Sequence, residues 1–400
     1  MKAALSTLLL LAAAPVAAGS RELALGVEHL YFRTAETALN RDNVLGLERG
    51  ADRLRATGSW KETEGAFRGV VRGVVERRFG FAEDETTVSL REAYVQLGGT
   101  AGSVRVGKQR IAWGSGFAWN PTDRLEPPKN PLNTGLEQEG AWALRADWSP
   151  SPTSVRVAVG ARIESRPGDL PVDVPSAARA GGAARLRLLV ASTDLALVVS
   201  ARDGGRPLAG VDAARSLGGH LAAHVEAAVH GRSELPPARD AAFFRVAAGL
   251  LYTFGEQGLS VEYFHNGEGD GDDARTRWLA GLDAAYTAAQ DPASPPAVRD
   301  AQRSLYLAGI TRPYHGLGLG RDYIQAAWTR SRIAGSWGAS LRVVGSATDG
   351  GVAVTPGLSY AAGGRLTLQT DGLLLLGTEK SEYRVSPVRG GVVTRARVLF

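Results

Sequence analysis

The feature that most constrains this chain is a strand pattern, in which apolar and polar residues alternate along segments of roughly ten residues. The segments recur from residue 21 to the last residue and are separated by turn residues. In one of them Trp142, Leu144 and Trp148 share a face, while Arg145 and Asp147 share the other. Strands of this length with one apolar and one polar face are typical of transmembrane β-barrels.

A soluble β-sandwich also alternates, but its strands are usually about five or six residues long. Short turns at 149–152, 255–258 and 361–364 alternate here with long polar loops. The long loops are 34–52, 112–137, 165–181 and 267–302. This arrangement predicts an all-β fold, a transmembrane antiparallel β-barrel of about 16–18 strands with long external loops. The strand count stays open because residues 276–290 fit either a strand or a short amphipathic helix in an external loop.

Signals at both ends of the sequence indicate export to an outer membrane. Lys2, an apolar run over 5–14 and small residues at 16–18 predict a signal peptide, residues 1–18, that is removed. The remainder, 19–400, is predicted to be a single outer-membrane β-barrel with long loop 112–137 and long loop 267–302. Phe400 ends an amphipathic strand, as in bacterial outer-membrane proteins, and this predicts recognition by the barrel-assembly machinery. The predicted location is the bacterial outer membrane.

The composition excludes several other classes of protein. There is no cysteine, so neither a disulfide framework nor a thiolate metal site is available. The net charge of +5 comes without a basic cluster interleaved with aromatics, and no nucleic-acid partner is expected. No nucleophile cluster or phosphate-binding loop is recognisable, so we expect neither an enzyme nor a cofactor. Asp270, Asp272 and Asp273 are weak candidates for a metal site, and a solvated acidic loop is favoured.

A barrel of about 16–18 strands is too wide for side chains to fill, which predicts an aqueous pore. The residues predicted to line this pore are Arg72, Glu92, Arg145, Asp147, Arg156, Arg162, Glu164, Arg185, Arg187 and Arg245. This assignment places Val157 and Val159 on the lipid-facing side of their strand. A surplus of arginine in the lumen would favour anionic solutes. The alternative is that the arginines pair with acids on neighbouring strands, such as Glu28, Glu76 and Glu262.

The loop 112–137 is rich in Gly, Pro, Trp and Asn, which excludes a helix or a paired central strand. Its length and its tryptophans indicate an ordered, functional loop. The residues predicted to form a constriction or lid are Trp113, Trp119, Asn120, Asp123 and Arg124. The alternative is a structural loop that stiffens the rim. Gly107, just before the loop, suits a bulge or a close approach of the loop.

Three segments resemble a pattern shared by Gram-negative porin-like families. Residues 90–97 read LREAYVQL, residues 104–114 read VRVGKQRIAWG, and residues 120–123 read NPTD. The combination is similar to that of alginate-export-like barrels and related uncharacterised outer-membrane porin families. The resemblance implies passive passage of a solute or polymer through the barrel.

The main functional hypothesis is therefore a porin or channel for passive passage of small polar solutes, anionic ones included, through a charged lumen. The alternative is a non-conducting outer-membrane protein for export, anchoring or assembly of surface material. The expected partners are outer-membrane lipid, lipopolysaccharide, the solute and the assembly machinery.

Overall fold

The computed structural model describes residues 20–47, 49–79, 85–126, 129–133, 139–151, 153–164, 178–202, 207–231, 241–310 and 318–400, with the backbone alone at 162–164 and 178–179. Within these ranges the chain forms 18 strands, β1 to β18, and three α-helices, α1 to α3. The segment predicted to be a signal peptide, 1–18, lies outside the described residues.

The strands follow one another along the chain with few helices between them. They are β1 Ser20–Thr34, β2 Gly50–Glu64, β3 Phe67–Phe79, β4 Glu85–Gly98, β5 Gly102–Gln109, β6 Ala141–Ser151, β7 Ser154–Glu164, β8 Ala178–Val190, β9 Thr193–Arg202, β10 Leu208–Leu217, β11 Leu221–His230, β12 Phe243–Phe254, β13 Gln257–Asn266, β14 Asp322–Arg330, β15 Trp337–Ser346, β16 Val352–Ala362, β17 Leu366–Leu376 and β18 Val388–Leu399. The helices are α1 Asp272–Gln290, α2 Pro296–Ile310 and α3 Glu382–Val385.

The sheet closes on itself. Each strand pairs antiparallel with the next strand in sequence, and β1 pairs with β18 as well as with β2. In the closing register Ala24 lies opposite Leu399, and Glu28 lies opposite Arg395. The 18 strands confirm the predicted all-β barrel, and residues 276–290 belong to helix α1 rather than to a strand.

The two ends of the barrel differ in the length of their connections. At one end, the turn end, strands are joined by short turns such as 65–66, 191–192 and 255–256. At the other end, the loop end, the connections include 110–140 and 267–321. Helices α1 and α2 belong to the second of these loops. In barrels of this kind the short turns face the periplasm and the long loops face outward.

Large apolar side chains cover the outward face of the strands. Examples on separate strands are Leu25, Leu54, Leu97, Leu144, Leu197, Leu250, Val261, Leu341 and Leu374. Exposed aromatic rings flank this apolar band at both ends, with Tyr31, Trp142 and Phe244 near the loop end and Trp148, Tyr252 and Trp337 near the turn end. An apolar band between two aromatic girdles suits a bilayer. The fold therefore confirms the predicted outer-membrane barrel.

Strand β7 has the opposite orientation to the one predicted. Val157 and Val159 are only 7% and 5% exposed, because they face the interior. Their neighbour Arg156 lies outside, with its guanidinium carbon 4.6 Å from the centre of a Trp148 ring. The prediction that Arg156 lines the pore is therefore wrong. The physical reason is that an internal loop packs against β7, so the inward face of this strand is apolar.

Candidate functional site

The loop between β5 and β6, residues 110–140, begins after a kink that requires glycine. Gly107 has a φ of +124°, in the region that favours glycine. A Cβ at this position would lie 2.2 Å from the Ala93 carbonyl oxygen of β4. Two residues later Gln109 is fully buried, and its side chain donates to the Ala143 carbonyl of β6 at 3.0 Å. The close approach at Gly107 is therefore to the backbone of the neighbouring strand β4, whereas a close approach of the loop was predicted.

The described part of this loop folds into the barrel and crosses the lumen. Ile111, Trp113 and Leu125 pack against inward-facing residues of β6 to β11. Those residues are Ala143, Val157, Val159, Ala161, Ala183, Val198, Leu208 and Ala228. Farther along, Trp119 is fully buried and joins a second apolar cluster, which draws on β12 to β17. Its ring stacks on Phe264 of β13 with 5.0 Å between centroids.

A carboxylate on the barrel wall binds the backbone of the loop. Glu262 of β13 accepts hydrogen bonds from the N–H groups of Ala118 and Trp119, both at 3.0 Å, and from that of Phe117. Hydrogen bonds to an ionised acceptor are roughly twice as strong as bonds between neutral groups. Three such bonds in succession hold residues 117–119 against the wall.

Glu226 of β11 and Asp212 of β10 hold neighbouring parts of the loop. Glu226 accepts from the N–H and the hydroxyl of Thr122 at 2.7 and 2.6 Å, and Ser115 donates its hydroxyl to Asp212. Gly114 permits the close approach: its φ is +90°, and a Cβ there would lie 2.5 Å from a Glu226 oxygen. We call Asp212, Glu226 and Glu262 the acid wall. All three are buried beneath the loop.

Side chains of the loop also stabilise its own conformation. The amide of Asn120 donates to the Trp113 carbonyl at 2.7 Å. Lys129 donates to the Gly116 carbonyl at 2.6 Å and to the Asn120 side-chain oxygen at 3.1 Å. Burial lowers the pKa of Lys129, although the charges of Glu262 and Glu226 oppose this effect. These contacts join Lys129 to the segment 113–120.

Asp123 forms a second centre within the loop. It accepts hydrogen bonds from the N–H groups of Trp113 and Leu125, both at 3.1 Å. Burial, and then the charge of Glu126, raises the pKa of Asp123 from 3.8 to about 7. Because folding favours the neutral form, the docked loop loses stability as the pH rises from 3.8 towards 7.

The five residues predicted to form a constriction or lid all lie in this folded-in loop, but they differ in exposure. Trp113 and Trp119 are buried against the wall, so they anchor the loop and do not face an open pore. Arg124 lies near His230 of β11 and Arg245 of β12. Near the far end of the loop, the Leu132 carbonyl accepts from Arg342 of β15 at 3.0 Å. The loop thus reaches a strand nine positions beyond β6 in the 18-stranded ring.

The opposite side of the lumen carries two arginines, Arg55 and Arg78, that are more exposed than the carboxylate that they share. Glu76 of β3 has Arg55 at 2.6 Å, Arg78 at 2.7 Å and Arg53 at 4.0 Å. The Glu76 side chain is 5% exposed, whereas those of Arg55 and Arg78 are 30% and 25% exposed. Arg53 also lies 3.4 Å from Glu28 of β1, so three arginines against two carboxylates leave this cluster with a net positive charge.

Arg395 of β18 extends this positive surface across the closing seam of the barrel. Its guanidinium lies 2.6 Å from Glu28 of β1 and 2.5 Å from Asp371 of β17. We call Arg53, Arg55, Arg78 and Arg395 the arginine wall. Strands β2 and β11 are nine positions apart in the ring of 18, so the arginine wall faces the acid wall across the lumen.

The ten residues predicted to line the pore have three different outcomes. Seven lie on inward faces: Arg72, Glu92, Arg145, Asp147, Arg185, Arg187 and Arg245. Arg156 lies on the outward face, and the side chains of Arg162 and Glu164 lie outside the described residues. Several inward arginines pair with acids, as Arg145 does with Asp147 at 2.7 Å and Arg185 with Asp212 at 3.5 Å. That the seven line a conducting path stays a prediction.

The acidic segment 270–273 lies where α1 begins, and an ion pair attaches this helix to the connection between β15 and β16. Arg275 donates to Asp272 and lies 2.9 Å from Asp349, and the Arg275 and Asp349 side chains are both buried. Asp270 is buried, whereas Asp273 is exposed. Among the described residues, no three His, Cys, Asp or Glu side chains are grouped as they would be to hold a metal ion.

Helices α1 and α2 form a hairpin at the loop end. Leu282 of α1 and Tyr306 of α2 pack with Leu39 of the β1–β2 loop and with Val385 of α3. Arg41 binds Asp283 of α1 at 2.6 Å. The hairpin therefore connects loops from opposite sides of the closing seam. Within the described ranges, neither these helices nor α3 combine the length and apolarity needed to cross a bilayer.

Sequence reasoning did not identify Asp212 and Glu226 as anchors of the loop. Each is the single acid of its strand, β10 or β11, among Ala, Val and Leu. An isolated carboxylate on the inward face of a strand requires hydrogen-bond donors, since its burial is otherwise costly. That isolation is the signal that could have identified them.

The complete barrel resembles solved structures over almost its whole length. One is Pseudomonas aeruginosa OccK5 (OpdH), with a TM-score of 0.56 and 10% identity over 96% of this chain and 97% of that chain. Pseudomonas aeruginosa OccK11 (OpdR) gives 0.55 and 9% over 96% and 95%, and Pseudomonas aeruginosa OprD gives 0.54 and 9% over 95% of both chains. No protein-family model matches the sequence, and no curated protein matches it. The 18-stranded barrel fits the outer-membrane porin-like fold that the sequence motifs predicted.

Proposed function

We propose that this chain is a passive outer-membrane channel for small polar solutes, with a preference for anions. One observation carries the proposal: the two sides of the lumen differ in which charges they expose. The acid wall is buried beneath the loop and accepts hydrogen bonds from it, whereas Arg55, Arg78 and Arg395 of the arginine wall are partly exposed. A solute that passes between them meets guanidinium groups, and fixed charge of one sign favours ions of the other.

The size of the passage follows from the same arrangement. An 18-stranded barrel encloses more space than its own side chains fill. The described residues of the loop lie on the side of the lumen next to β6–β15, where their apolar side chains are buried. The remaining space lies between the loop and the arginine wall. This geometry supports passage of small solutes rather than folded chains.

Single-channel recording in planar bilayers tests the proposal. The purified full-length chain should give discrete conductance steps, and in a salt gradient its reversal potential should indicate preference for the anion. The double variant Arg55→Gln, Arg78→Gln removes two positive charges around Glu76 and leaves its carboxylate. We expect this variant to conduct with its reversal potential shifted towards cation preference.

The matched control is Arg156→Gln, which removes an outward arginine of the same barrel. Its reversal potential should equal that of the wild type. A folded barrel without conductance steps would refute the channel, and a cation-preferring wild type would refute only the anion preference.

The alternative is a non-conducting protein that exports, anchors or assembles surface material. The loop and its two apolar clusters, which fill part of the lumen, are the observation in its favour. The same recording distinguishes the two functions, because a plugged barrel gives no steps.

Two further partners belong to this proposal. Lipopolysaccharide would surround the loop-end girdle of Tyr31, Trp142 and Phe244, which lies towards the outer leaflet. The barrel-assembly machinery would bind the last strand, whose Phe400 side chain is exposed.

A further inference from the structure

A groove runs along the outer surface of the barrel between β6 and β9. It is a shallow, open groove of about 540 Å³ that faces the surrounding lipid. Its lining includes Trp148, Arg156, Ala158, Ala184, Leu197 and Val199. These side chains lie on the outward faces of their strands, so the groove is separate from the solute path.

The groove exists because small residues lie side by side on adjacent strands. Ala146 of β6 lies opposite Ala158 of β7, which lies opposite Ala184 of β8. One outward row nearer the loop end, Gly160 lies opposite Gly182. Elsewhere the outward face carries Leu and Val, so these rows form a depression in the apolar band. In a bilayer an acyl chain fills such a depression, because an empty space loses dispersion contacts.

Arg156 lies at the end of the groove that is nearer the turns. Its backbone is opposite Trp148, and its guanidinium covers a ring of that side chain. The inward arginines of the adjacent strands have carboxylate partners, as Arg145 and Arg185 do. In the described part of the chain, no carboxylate pairs with Arg156. Its N–H donors therefore point to an anionic group that comes from outside the protein.

The depth of Arg156 in the membrane indicates which anion this is. A charge on the lipid-facing surface is costly near the midplane and is tolerated near the interface. Trp148 belongs to the turn-end girdle, and such girdles lie at the level of the lipid head groups. The anionic group at that level is the lipid phosphate, whose oxygens match the fork of N–H donors on arginine.

We infer that the groove binds one anionic glycerophospholipid, with its phosphate on Arg156 and one acyl chain along Ala146, Ala158 and Ala184. The turn end faces the periplasm in barrels of this type. That leaflet of an outer membrane consists of glycerophospholipid, whereas lipopolysaccharide occupies the other leaflet. The occupant is therefore a glycerophospholipid and not lipid A.

Native mass spectrometry of the delipidated full-length barrel tests this inference, with palmitoyl-oleoyl phosphatidylglycerol as the probe. The wild type should retain one phosphatidylglycerol per barrel. Arg156→Gln should weaken retention by about tenfold or more, because it removes a charge-assisted contact. Ala158→Leu should weaken it as well, because the added side chain fills the groove.

Matched controls come from β14, away from the groove. Arg330→Gln removes another outward arginine near the turns, and Ala326→Leu adds bulk to another outward position. Both should retain phosphatidylglycerol as the wild type does. The heat-induced mobility shift on electrophoresis verifies that every variant is a folded barrel.

Four results would overturn the inference. Arg156→Gln and Ala158→Leu with wild-type retention would exclude this site, and equal losses in the β14 controls would exclude any specific site. Displacement of phosphatidylglycerol by lipid A would place the site in the outer, lipopolysaccharide leaflet instead. Dimers that form through the groove in place of lipid binding would identify a second copy of the chain as its occupant. Because conductance is recorded separately, loss of the lipid site leaves the proposed channel untouched.

Discussion

Glu262 shows how a single side chain positions a whole loop. Its carboxylate is fully buried, and three consecutive N–H groups of the loop, at residues 117–119, donate to it. His224 of β11 lies 3.0 Å away and contacts it from the wall. A buried carboxylate is costly unless donors surround it. The loop supplies those donors, so the charge and the loop stabilise each other.

Replacement of Glu262 by Gln should loosen the loop without unfolding the barrel. The amide has one oxygen where the carboxylate has two, and its NH₂ group faces N–H donors. We expect loop docking to weaken by about 1–3 kcal/mol, the cost of an unsatisfied buried group. Hydrogen exchange of the amides at 115–122, measured by mass spectrometry in micelles, should accelerate accordingly.

Glu92→Gln is the matched control for this change. Glu92 lies on the inward face of β4, opposite Arg72 and away from residues 117–119. Its replacement should leave exchange at 115–122 as in the wild type. Wild-type exchange in Glu262→Gln would contradict the role that we assign to this carboxylate.

At the scale of elements, the described part of the loop between β5 and β6 matches the inward residues that it covers. Strands β6 to β11 present Ala, Val and Leu at the positions where Ile111, Trp113 and Leu125 pack. Strands β2 and β3 lie across the lumen and present arginine and glutamate instead. The same period-two pattern thus gives apolar residues and three buried acids under the loop, and clustered arginines on the opposite side of the lumen.

Deletion of residues 121–131 should increase the conductance of the barrel. The deletion removes Thr122, which binds Glu226, and Leu125, which packs beneath β6 to β11. Loss of a buried leucine contact alone costs about 2–5 kcal/mol, enough to undock much of the loop. Single-channel recording should show larger steps than in the wild type.

The heat-induced mobility shift on electrophoresis is the folding control for this deletion. Steps of unchanged size from a folded barrel would show that the loop only stiffens the rim, which is the alternative reading of the sequence.

At the scale of the whole molecule, closure of the sheet removes every strand edge. Strand β18 returns to β1, and the N–H of Phe400 donates to the Leu23 carbonyl at 2.8 Å. An open edge in a membrane would leave unsatisfied backbone groups, which hydrocarbon does not satisfy. The Phe400 side chain is 66% exposed and contributes little to this closure. Its exposure suits recognition by another protein during assembly.

Removal of Phe400 should therefore reduce assembly in cells more than refolding in detergent. We expect less heat-shifted barrel in outer-membrane fractions and an unchanged yield on refolding in detergent. Leu97→Ala, which truncates another exposed apolar side chain of the outer face, is the control and should assemble normally. Equal losses in cells and in detergent would instead assign Phe400 to barrel stability.

The inward face of β7 is a feature that could not be predicted from the sequence. Val157 and Arg156 alternate as any amphipathic strand does, and in most barrels the valine would face lipid. Here it faces a loop whose contacting residues are more than 30 positions away in sequence. The residues next to Val157 in the sequence give no indication of such a contact. The acid wall is similar, because Asp212, Glu226 and Glu262 gain their partners from residues 115–122.

The sequence by itself determined the barrel, its approximate strand number, its membrane and the order of long and short connections. It could do so because lipid outside and a polar interior impose a local period of two that each segment shows independently. Only the tertiary structure decided which face of β7 points inward, that the loop lies within the lumen, and which charges stay exposed. These depend on one loop that crosses the barrel and buries one wall, a contact between distant residues that no local pattern records.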